Sequence, residues 1–503
     1  MKLNDIIHKD EYVTYQFIPE ELEIDFLTRK IDEIKEGTLF FLLKSINQDS
    51  ENIINNINSK KPAVIVCQKD SLITFSDSYV IYVENVRKTM AYAYSRYCNI
   101  NYGISKFIAV TGTNGKTTTA TLIKYLLSSN GEKVGFIGTG KIEIDGKTAT
   151  EEYYSMTTPD PEILYPAIEK MQSSGCKYII MEASSHALYY DKLAPIPFDI
   201  GIFTNLSREH LDFHKSIEDY YESKLKLFSQ CKVGIFNCDD VYARKAIGTV
   251  KCKTVSVGIL WPGDVMAREI IQKGFLGTEY IYKEKSLIFK CRMRLAGAYN
   301  IYNSLLAIKA SIMLGVKPCH IKDSLSKLNS IDGRFEVSIS DICVIRDYAH
   351  TPAALDNFLK TVNSIKNSRQ NITIVFGCGG ERDKNKRPLM AKIAEKYCIL
   401  SIVTNDNPRK ETESEIINDI LSGFEKTDKR IVITDRKKAI EYAILNAHKN
   451  DLVVIVGKGA ENYIIDKNGF HPFSEKKIIE EALQKRENYE VHNENSFRNS
   501  TPT

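Results

Sequence analysis

The stretch VTGTNGKTTT, Val110 to Thr119, constrains what this chain can fold into more than any other. An apolar run at 107–110 leads into it and reads as a buried strand. A helical pattern follows, with Ala120, Ile123 and Leu127 on one side and Leu122 and Leu126 beside them, and Asn130-Gly131 ends it. Strand, glycine turn and helix together are the context of a phosphate-binding loop. Glycines at 112 and 115 let the backbone close around an anion, and the helix N-terminus offers free N–H groups and a favourable dipole. Lys116 supplies a point charge for terminal phosphates, and Thr117 a hydroxyl for Mg²⁺. The spacing is G-x-x-G-K-T, shorter than the full GxxxxGK[ST] pattern. An ordinary glycine turn is the bland alternative, and the intact flanks weigh against it.

A length of 503 residues suggests about three domains. With 43% hydrophobic and 26% charged residues there is material for several cores, and a net charge of +4 implies no nucleic-acid footprint. The eleven cysteines are scattered without a C-x-x-C pair, which fits a reducing cytoplasm. The N-terminal residues carry no apolar signal core, and no apolar run is long enough to span a bilayer, so a cytoplasmic protein without membrane insertion is expected.

The fold class expected is α/β in three domains. Residues 1–105 form a small α/β domain, with strands at 38–43, 63–67 and 80–83, helices at 53–59 and 86–97, and no evident catalytic cluster. Residues 106–333 form a central phosphate-loop domain on a parallel-rich sheet. Its polar loop SMTTPDP at 155–161 reads as a working loop. A strand at 178–181 runs into Glu182-Ala-Ser-Ser-His186, which puts a carboxylate at a strand end, where nucleotide hydrolases hold Mg²⁺. A strand at 198–204 runs into a segment with Glu209, His210, Asp212 and His214. Taken singly each histidine is more often structural, and convergence near the phosphate loop reverses that. Ser216 caps a helix on which Tyr221, Lys224, Leu225 and Phe228 share a face. A lysine on an apolar stripe is out of place, and pattern alone favours snorkelling to solvent. Asn300 and Asn303 share a helix face and are placed to read a base edge, while Asn300 also suits an N-cap.

Residues 334–487 alternate strand and helix as a Rossmann-like, doubly wound sheet. Polar clusters fall at its strand ends: Asp347-Tyr-Ala-His350, residues 377–383, Thr404-Asn-Asp406-Asn407-Pro-Arg409, and Gly457-Lys458-Gly459-Ala-Glu461. Four clusters at one edge suggest a site. The polar residues 488–503 read as a disordered tail.

Taken in series, TGTNGKTT, TTPD, EASSHAL, FTNLSREHLDFH, YYESKLKLF, GAYNIYN, DGRFE, DYAHTP, GCGGERDKNKRP, DNPRKE and GKGAE resemble the Mur ligase family over most of residues 106–475. The resemblance is to the MurE type, which adds the third residue of the peptidoglycan stem peptide. It implies an N-terminal domain for a UDP moiety, a central ATPase and a C-terminal Rossmann-like domain. It also implies ATP held by Gly112, Thr113, Asn114, Gly115, Lys116, Thr117 and Thr118, with Asn303 reading adenine and Arg334 and Asp347 approaching the nucleotide. Thr117, Glu182 and His210 would serve Mg²⁺, as would Lys224 once carbamylated by CO₂, and Lys116, Glu182, His210 and Lys224 would form the catalytic set. The acceptor, UDP-MurNAc-L-Ala-D-Glu, would meet Thr28, Thr157, Thr158, Ser184 and Lys192. The incoming amino acid, meso-diaminopimelate, would meet Arg382, Asp406, Asn407, Arg409, Gly457 and Glu461, with Arg409 on its distal carboxylate. A monomer is expected.

The first domain departs from the family pattern. Leu27-Thr28 stands where Asp-Ser is usual, and Ser45 to Asp49 replace a glycine-rich piece; in the later domains Lys192 stands where an arginine is usual and Ala460 where a histidine is common. A ligase using L-lysine or another acceptor, and a non-catalytic nucleotide-binding paralogue, are the alternatives.

Overall fold

A computed structural model describes residues 1–15, 18–19, 21–43, 51–69, 75, 77–149, 156–210 and 213–498. The segment from Ser45 to Asp49, Ser155 and Asp212 lie outside the described residues. The chain forms two compact units. One comprises Met1–Gly112, Ile123–Leu206 and His214–Ser256, and the other Thr113–Leu122, Ser207–Phe213 and Val257–Thr503.

The first unit holds two sheets. The N-terminal one runs Thr14–Tyr15, Tyr79–Val83, Val64–Gln68, Thr38–Phe41, Phe26–Thr28, parallel except at the Thr14–Tyr15 edge. Short apolar runs such as Thr38–Phe41, buried at every position, suit strands covered on both faces. The helix Val86–Tyr97 begins where the sequence predicts, because the Asn85 side chain accepts from the Lys88 N–H. In the second sheet the parallel strands lie in the order Cys231–Asn237, Phe198–Phe203, Lys106–Thr111, Tyr178–Glu182, Val134–Gly138. The hairpin Lys141–Ile144 and Lys147–Thr148 extends it antiparallel. Lys106–Thr111 is therefore central, and a loop leaving its C-terminal end lies where open α/β sheets bind ligands.

The second unit carries the C-terminal sheet, in the order Glu336–Ile339, Cys343–Asp347, Leu452–Val456, Ile372–Phe376, Leu400–Val403, Arg430–Val432. All neighbours are parallel except Glu336–Ile339. Alternate residues feed two cores. Ile345, Ile374 and Val454 face one, and Val344, Val375 and Val453 the other. That is the doubly wound pattern expected, with helix boundaries shifted by a residue or a few.

The structure also differs from the sequence reading. Val265–Gln272, Thr278–Glu284 and Leu287–Met293 form an antiparallel ribbon that carries no motif and was not anticipated. The helix Ala298–Met313 is capped by Gly297 at φ 92°, so Asn300 lies inside it and is not the N-cap; its amide donates to the Ala296 carbonyl at 2.7 Å. The last helix, Glu475–Arg498, runs through 488–498, where a tail was expected; a largely polar composition does not prevent a segment from continuing a helix already begun. Among the described residues no helix is long and apolar enough to cross a membrane.

Candidate active site

The phosphate loop owes its shape to two glycines. Gly112 has φ 143° and Gly115 φ 84°. A Cβ on Gly112 would run into the Thr204 hydroxyl, and one on Gly115 into the Asn303 amide oxygen. Lys116 Nζ donates to the Thr113 carbonyl at 2.8 Å, and the Thr113 hydroxyl accepts from the Ser207 N–H at 3.0 Å. Thr118 is buried. Arg334 Nη2 donates to the Thr117 hydroxyl at 2.9 Å, and its guanidinium lies 4.2 Å from the centre of the Tyr348 ring. Asn303 is buried beneath the loop, where Thr119 Oγ1 donates to its Oδ1 at 3.3 Å and its amide donates to Asn300 Oδ1 at 3.3 Å. In this geometry Asn303 braces the loop from below.

In the first unit, Glu182 ends its strand fully buried. Its Oε1 accepts from the Thr139 N–H at 3.1 Å and its Oε2 from the Thr139 hydroxyl at 3.3 Å. Thr139 also reaches the Thr157 hydroxyl at 3.2 Å. Thr158 donates to the Glu182 carbonyl at 2.7 Å and accepts from the Ser184 N–H at 3.0 Å, while Ser184 caps the short helix after it. TTPD and EASSH, distant in sequence, thus meet through hydroxyls. Lys224 is 1% exposed, which rules out the snorkelling that pattern alone favoured. Its Nζ donates to the Gly112 carbonyl at 3.0 Å and lies 4.4 Å from the centre of the Tyr220 ring, so loop and ring receive the ammonium. His214 is buried with Nε2 3.0 Å from the Ser185 hydroxyl, whereas His210 is exposed at φ 56°.

Lys192 is buried against Asp160, Nζ to Oδ1 2.5 Å. Arg29 reaches the same Asp160 at 2.6 Å and Glu162 at 2.9 Å. Thr28 turns inward instead, donating to Glu33 at 2.8 Å and accepting from the Lys30 N–H at 3.0 Å. In the Thr28-Arg29 pair, Arg29 is therefore the residue that meets the TTPD segment.

In the second unit, the polar clusters converge at the C-terminal edge of the last sheet. Asn407 Oδ1 accepts from Lys458 Nζ at 2.8 Å and from the Ile465 N–H at 3.0 Å, and its amide donates to Glu461 Oε2 at 3.0 Å. Asp406 packs against Gly457 at φ 119°, where a Cβ would press on its carboxylate. Burial works to raise its pKa, but Lys458 and Arg436 prevail and hold it below the ordinary carboxylate value. Burial and the neighbouring Asp406 push Glu461 the other way, above its ordinary value. Asp347 accepts from the Phe335 and Ala349 N–H groups, each at 2.8 Å, and burial raises its pKa against the pull of Arg334. Arg409, at φ 55°, donates to the Gly380 carbonyl at 2.8 Å. A Cβ on Gly379 would meet Arg409 at 2.9 Å and Arg382 at 3.8 Å, so both side chains border that glycine. Burial and Arg382 lower the Arg409 pKa. Among the described residues neither arginine has a carboxylate within ion-pair distance.

Residues 110–311 match the Mur ligase middle domain, and residues 333–459 the Mur ligase glutamate ligase domain. A UDP-N-acetylmuramoyl-L-alanyl-D-glutamate–2,6-diaminopimelate ligase of Clostridium acetobutylicum is 37% identical over 490 residues, covering 96% of this chain and 99% of its own. The chain belongs to the Mur ligase family. A solved structure of a ligase of the same name superposes with a TM-score of 0.67 at 26% identity, covering 97% of this chain and 100% of that one. The MurF ligase of Thermotoga maritima, solved in complex with ADP, shares the fold with a TM-score of 0.57 at 17% identity, covering 93% of this chain and 99% of its own. As a Mur ligase the chain is an enzyme of the acid–amino-acid ligase class.

Beyond the expected residues, this Mur ligase places charged side chains to which the sequence alone assigned no role. Asp160 anchors two cations, and Arg346, Arg387 and Arg436 are buried behind the strand-end loops. Arg346 Nη1 donates to the Gly459 carbonyl at 2.8 Å, and Arg436 donates to the Asn405 and Val456 carbonyls at 2.9 and 2.8 Å. The available signal was an arginine beside DYAHTP for Arg346 and within GCGGERDKNKRP for Arg387, with none for Arg436, and each reads as a surface charge until burial is known.

Proposed function

We propose that this enzyme joins meso-2,6-diaminopimelate to UDP-MurNAc-L-Ala-D-Glu with ATP, through an acyl phosphate, in peptidoglycan synthesis in the cytoplasm. The observation that carries the reading is the Arg382–Arg409 pair. Arg409 through its guanidinium and Arg382 through its Cγ methylene border one glycine, and among the described residues neither is ion-paired to a carboxylate, which suits an anion brought by the ligand. The distal carboxylate of diaminopimelate is such an anion, and L-lysine has none to offer. The full-length relative named for the same reaction supports this.

The domain division 1–105, 106–333 and 334–487 assigns the UDP moiety, ATP and the amino acid in that order, and no partner beyond these small molecules is needed. Gly112, Thr113, Asn114, Gly115, Lys116, Thr117 and Thr118 would hold the ATP phosphates. Arg334 and Asp347 would face the nucleotide, and Asn303 would act on it through the loop it braces. The donors on offer to Mg²⁺ are hard ones: the Thr117 hydroxyl and the buried Glu182 carboxylate, whose Thr139 contacts fix its orientation. His210 would assist. Bound Mg²⁺ supplies charge neutralisation for phosphoryl transfer. As a free amine Lys224 suits the Gly112 carbonyl; as a carbamate it becomes an acceptor and would turn its oxygens to a cation instead.

The acceptor carboxylate takes the γ-phosphoryl group while Lys116 offsets the developing charge. Thr157, Thr158, Ser184 and Lys192 would position the acceptor, with Thr28 shaping the turn that presents Arg29. The amine of the incoming amino acid then attacks the acyl carbon, phosphate leaves, and an amide forms. Asp406, Asn407, Gly457 and Glu461 would orient that amino acid, so the work is positioning and charge balance, with no Ser or Cys nucleophile.

Phosphate release from ATP with UDP-MurNAc-L-Ala-D-Glu, offering meso-diaminopimelate, L-lysine and L-ornithine separately, tests the reading. Release with meso-diaminopimelate alone is expected. Release only with lysine keeps the ligase and overturns the role of Arg409. Absence of release with every amine points to another acceptor.

A further inference from the structure

Arg382 and Arg409 sit on two separate loops, after the strands Ile372–Phe376 and Leu400–Val403. Their spacing is useful only if the loops hold a fixed distance, and two like charges oppose that. The structure shows what resists the repulsion. Arg387, in the first turn of the helix Lys386–Tyr397, is wholly buried. Its Nη1 and Nη2 grip the two oxygens of Glu411 at 3.0 and 3.1 Å, a two-pronged contact. Nη2 also donates to the Gly379 carbonyl at 3.3 Å, and Nη1 to Asp419 at 2.8 Å. Glu411 lies two residues after Arg409 and accepts in turn from the Glu381 N–H, immediately before Arg382. The pair therefore ties the backbone beside one ligand arginine to the backbone beside the other. Gly380 completes the seam: its N–H donates to the Asn407 carbonyl at 2.9 Å, and a Cβ there would collide with the Pro408 carbonyl. Glu381 and Arg409 themselves sit at φ 51° and 55°, conformations that side-chain-bearing residues keep only when their surroundings impose them.

We propose that Arg387 and Glu411 are positioning residues that set the separation of Arg382 and Arg409, and through it the preference for an amino acid with a distal carboxylate. This rests on the substrate reading above. Neither residue touches the substrate; they act through the two loops they join.

The test uses the full chain carrying Glu411→Gln, Arg387→Lys, both together, and the milder Glu411→Asp, which keeps the charge and shortens its reach. Phosphate release gives kcat and KM for each of the three substrates. For Glu411→Gln and Arg387→Lys we expect KM for meso-diaminopimelate to rise about tenfold, with KM for ATP and for UDP-MurNAc-L-Ala-D-Glu within about twofold of wild type and kcat within about threefold. Glu411→Asp should fall between, and the double variant should be no worse than the poorer single one, because both remove the same link. An unchanged KM for meso-diaminopimelate overturns the proposal. So does a common rise in all three KM values, the mark of general loosening, or additive effects in the double variant. If wild type itself fails to use meso-diaminopimelate, the substrate reading fails; if only the variants match wild type, the substrate reading stands and the positioning role falls.

Discussion

In the proposed function the phosphate loop and the C-terminal strand-end loops both hold anions, and they are built for it in opposite ways. In the first, the working groups lie within Gly112–Thr117 and local backbone geometry does most of the holding: two positive-φ glycines and a helix start. In the second, the groups come from loops at 377–383, 404–409 and 457–461, and nothing local brings them together. There the chain relies on buried arginines, Arg346, Arg387 and Arg436, each bonded to backbone carbonyls of a site loop. A site made of consecutive residues is carried by its own conformation. A site assembled from distant loops needs clamps, and a clamp can be broken without touching a ligand group.

The sharpest division between the two regions is kinetic. Lys116→Ala removes the charge that the proposed function assigns to the transferred phosphoryl group, so kcat should fall about a thousandfold with any amino acid offered. The thermal midpoint should stay near that of wild type, since the hydrogen bond from Lys116 to the Thr113 carbonyl lies within the loop itself. Arg409→Ala should instead raise KM for meso-diaminopimelate about a hundredfold while leaving KM for ATP alone. If Arg409→Ala affected ATP as strongly as the amino acid, the two regions would not be separable and the contrast would fail.

The same contrast explains what the sequence discloses. The phosphate loop, the strand ends bearing Glu182 and Asp347, and the alternating C-terminal sheet are all readable because their signals are contiguous or periodic. Lys224 was readable only as an anomaly; its burial depends on the Gly112 carbonyl and the Tyr220 ring, both supplied by the fold. Asn303 stood out in the sequence only as one of two asparagines on a helix face, and its contact with Gly115 and Thr119 is tertiary. Arg387 and Arg436, each at a helix start, look like ordinary surface charges, and only their burial against the half-buried Glu411 and the fully buried Glu475 reveals otherwise. The ribbon from Val265 to Met293 went unread because it carries no motif.

A packing test probes the assembled region further. Gly333, at φ 62°, lies so close to Gly459 and Ala460 that a Cβ would overlap their backbone. Gly333→Ala combines a left-handed backbone with an overpacked contact and should destabilise the chain by about 3 kcal/mol. Urea unfolding reads this directly. Gly131, also at positive φ but with open space around it, is the control; Gly131→Ala should cost only the backbone strain, about 1 kcal/mol. Equal losses at the two sites would mean that the Gly333 contact yields easily and that the turn does not lock the Gly459 loop.

The smallest effect expected is a dependence on acid. Hydrogen bonding from Arg387, with the Glu381 N–H and the charges of Arg387 and Lys384 in support, outweighs burial and pulls the Glu411 carboxyl down to about 2. Its folded pKa is thus below the unfolded value of about 4.3, so folding favours the ionised form. The stability this contributes is complete above the unfolded pKa and is lost as pH falls through the folded one. Glu411→Gln has no such proton to take up. The gap in thermal midpoint between wild type and Glu411→Gln should therefore be widest at about pH 6 and narrow towards about pH 3. Other carboxylates titrate alike in both chains and cancel in the difference. A gap that stayed constant with pH would show that the Arg387–Glu411 contact stabilises by shape alone, and the assembled site would then depend on packing rather than on charge.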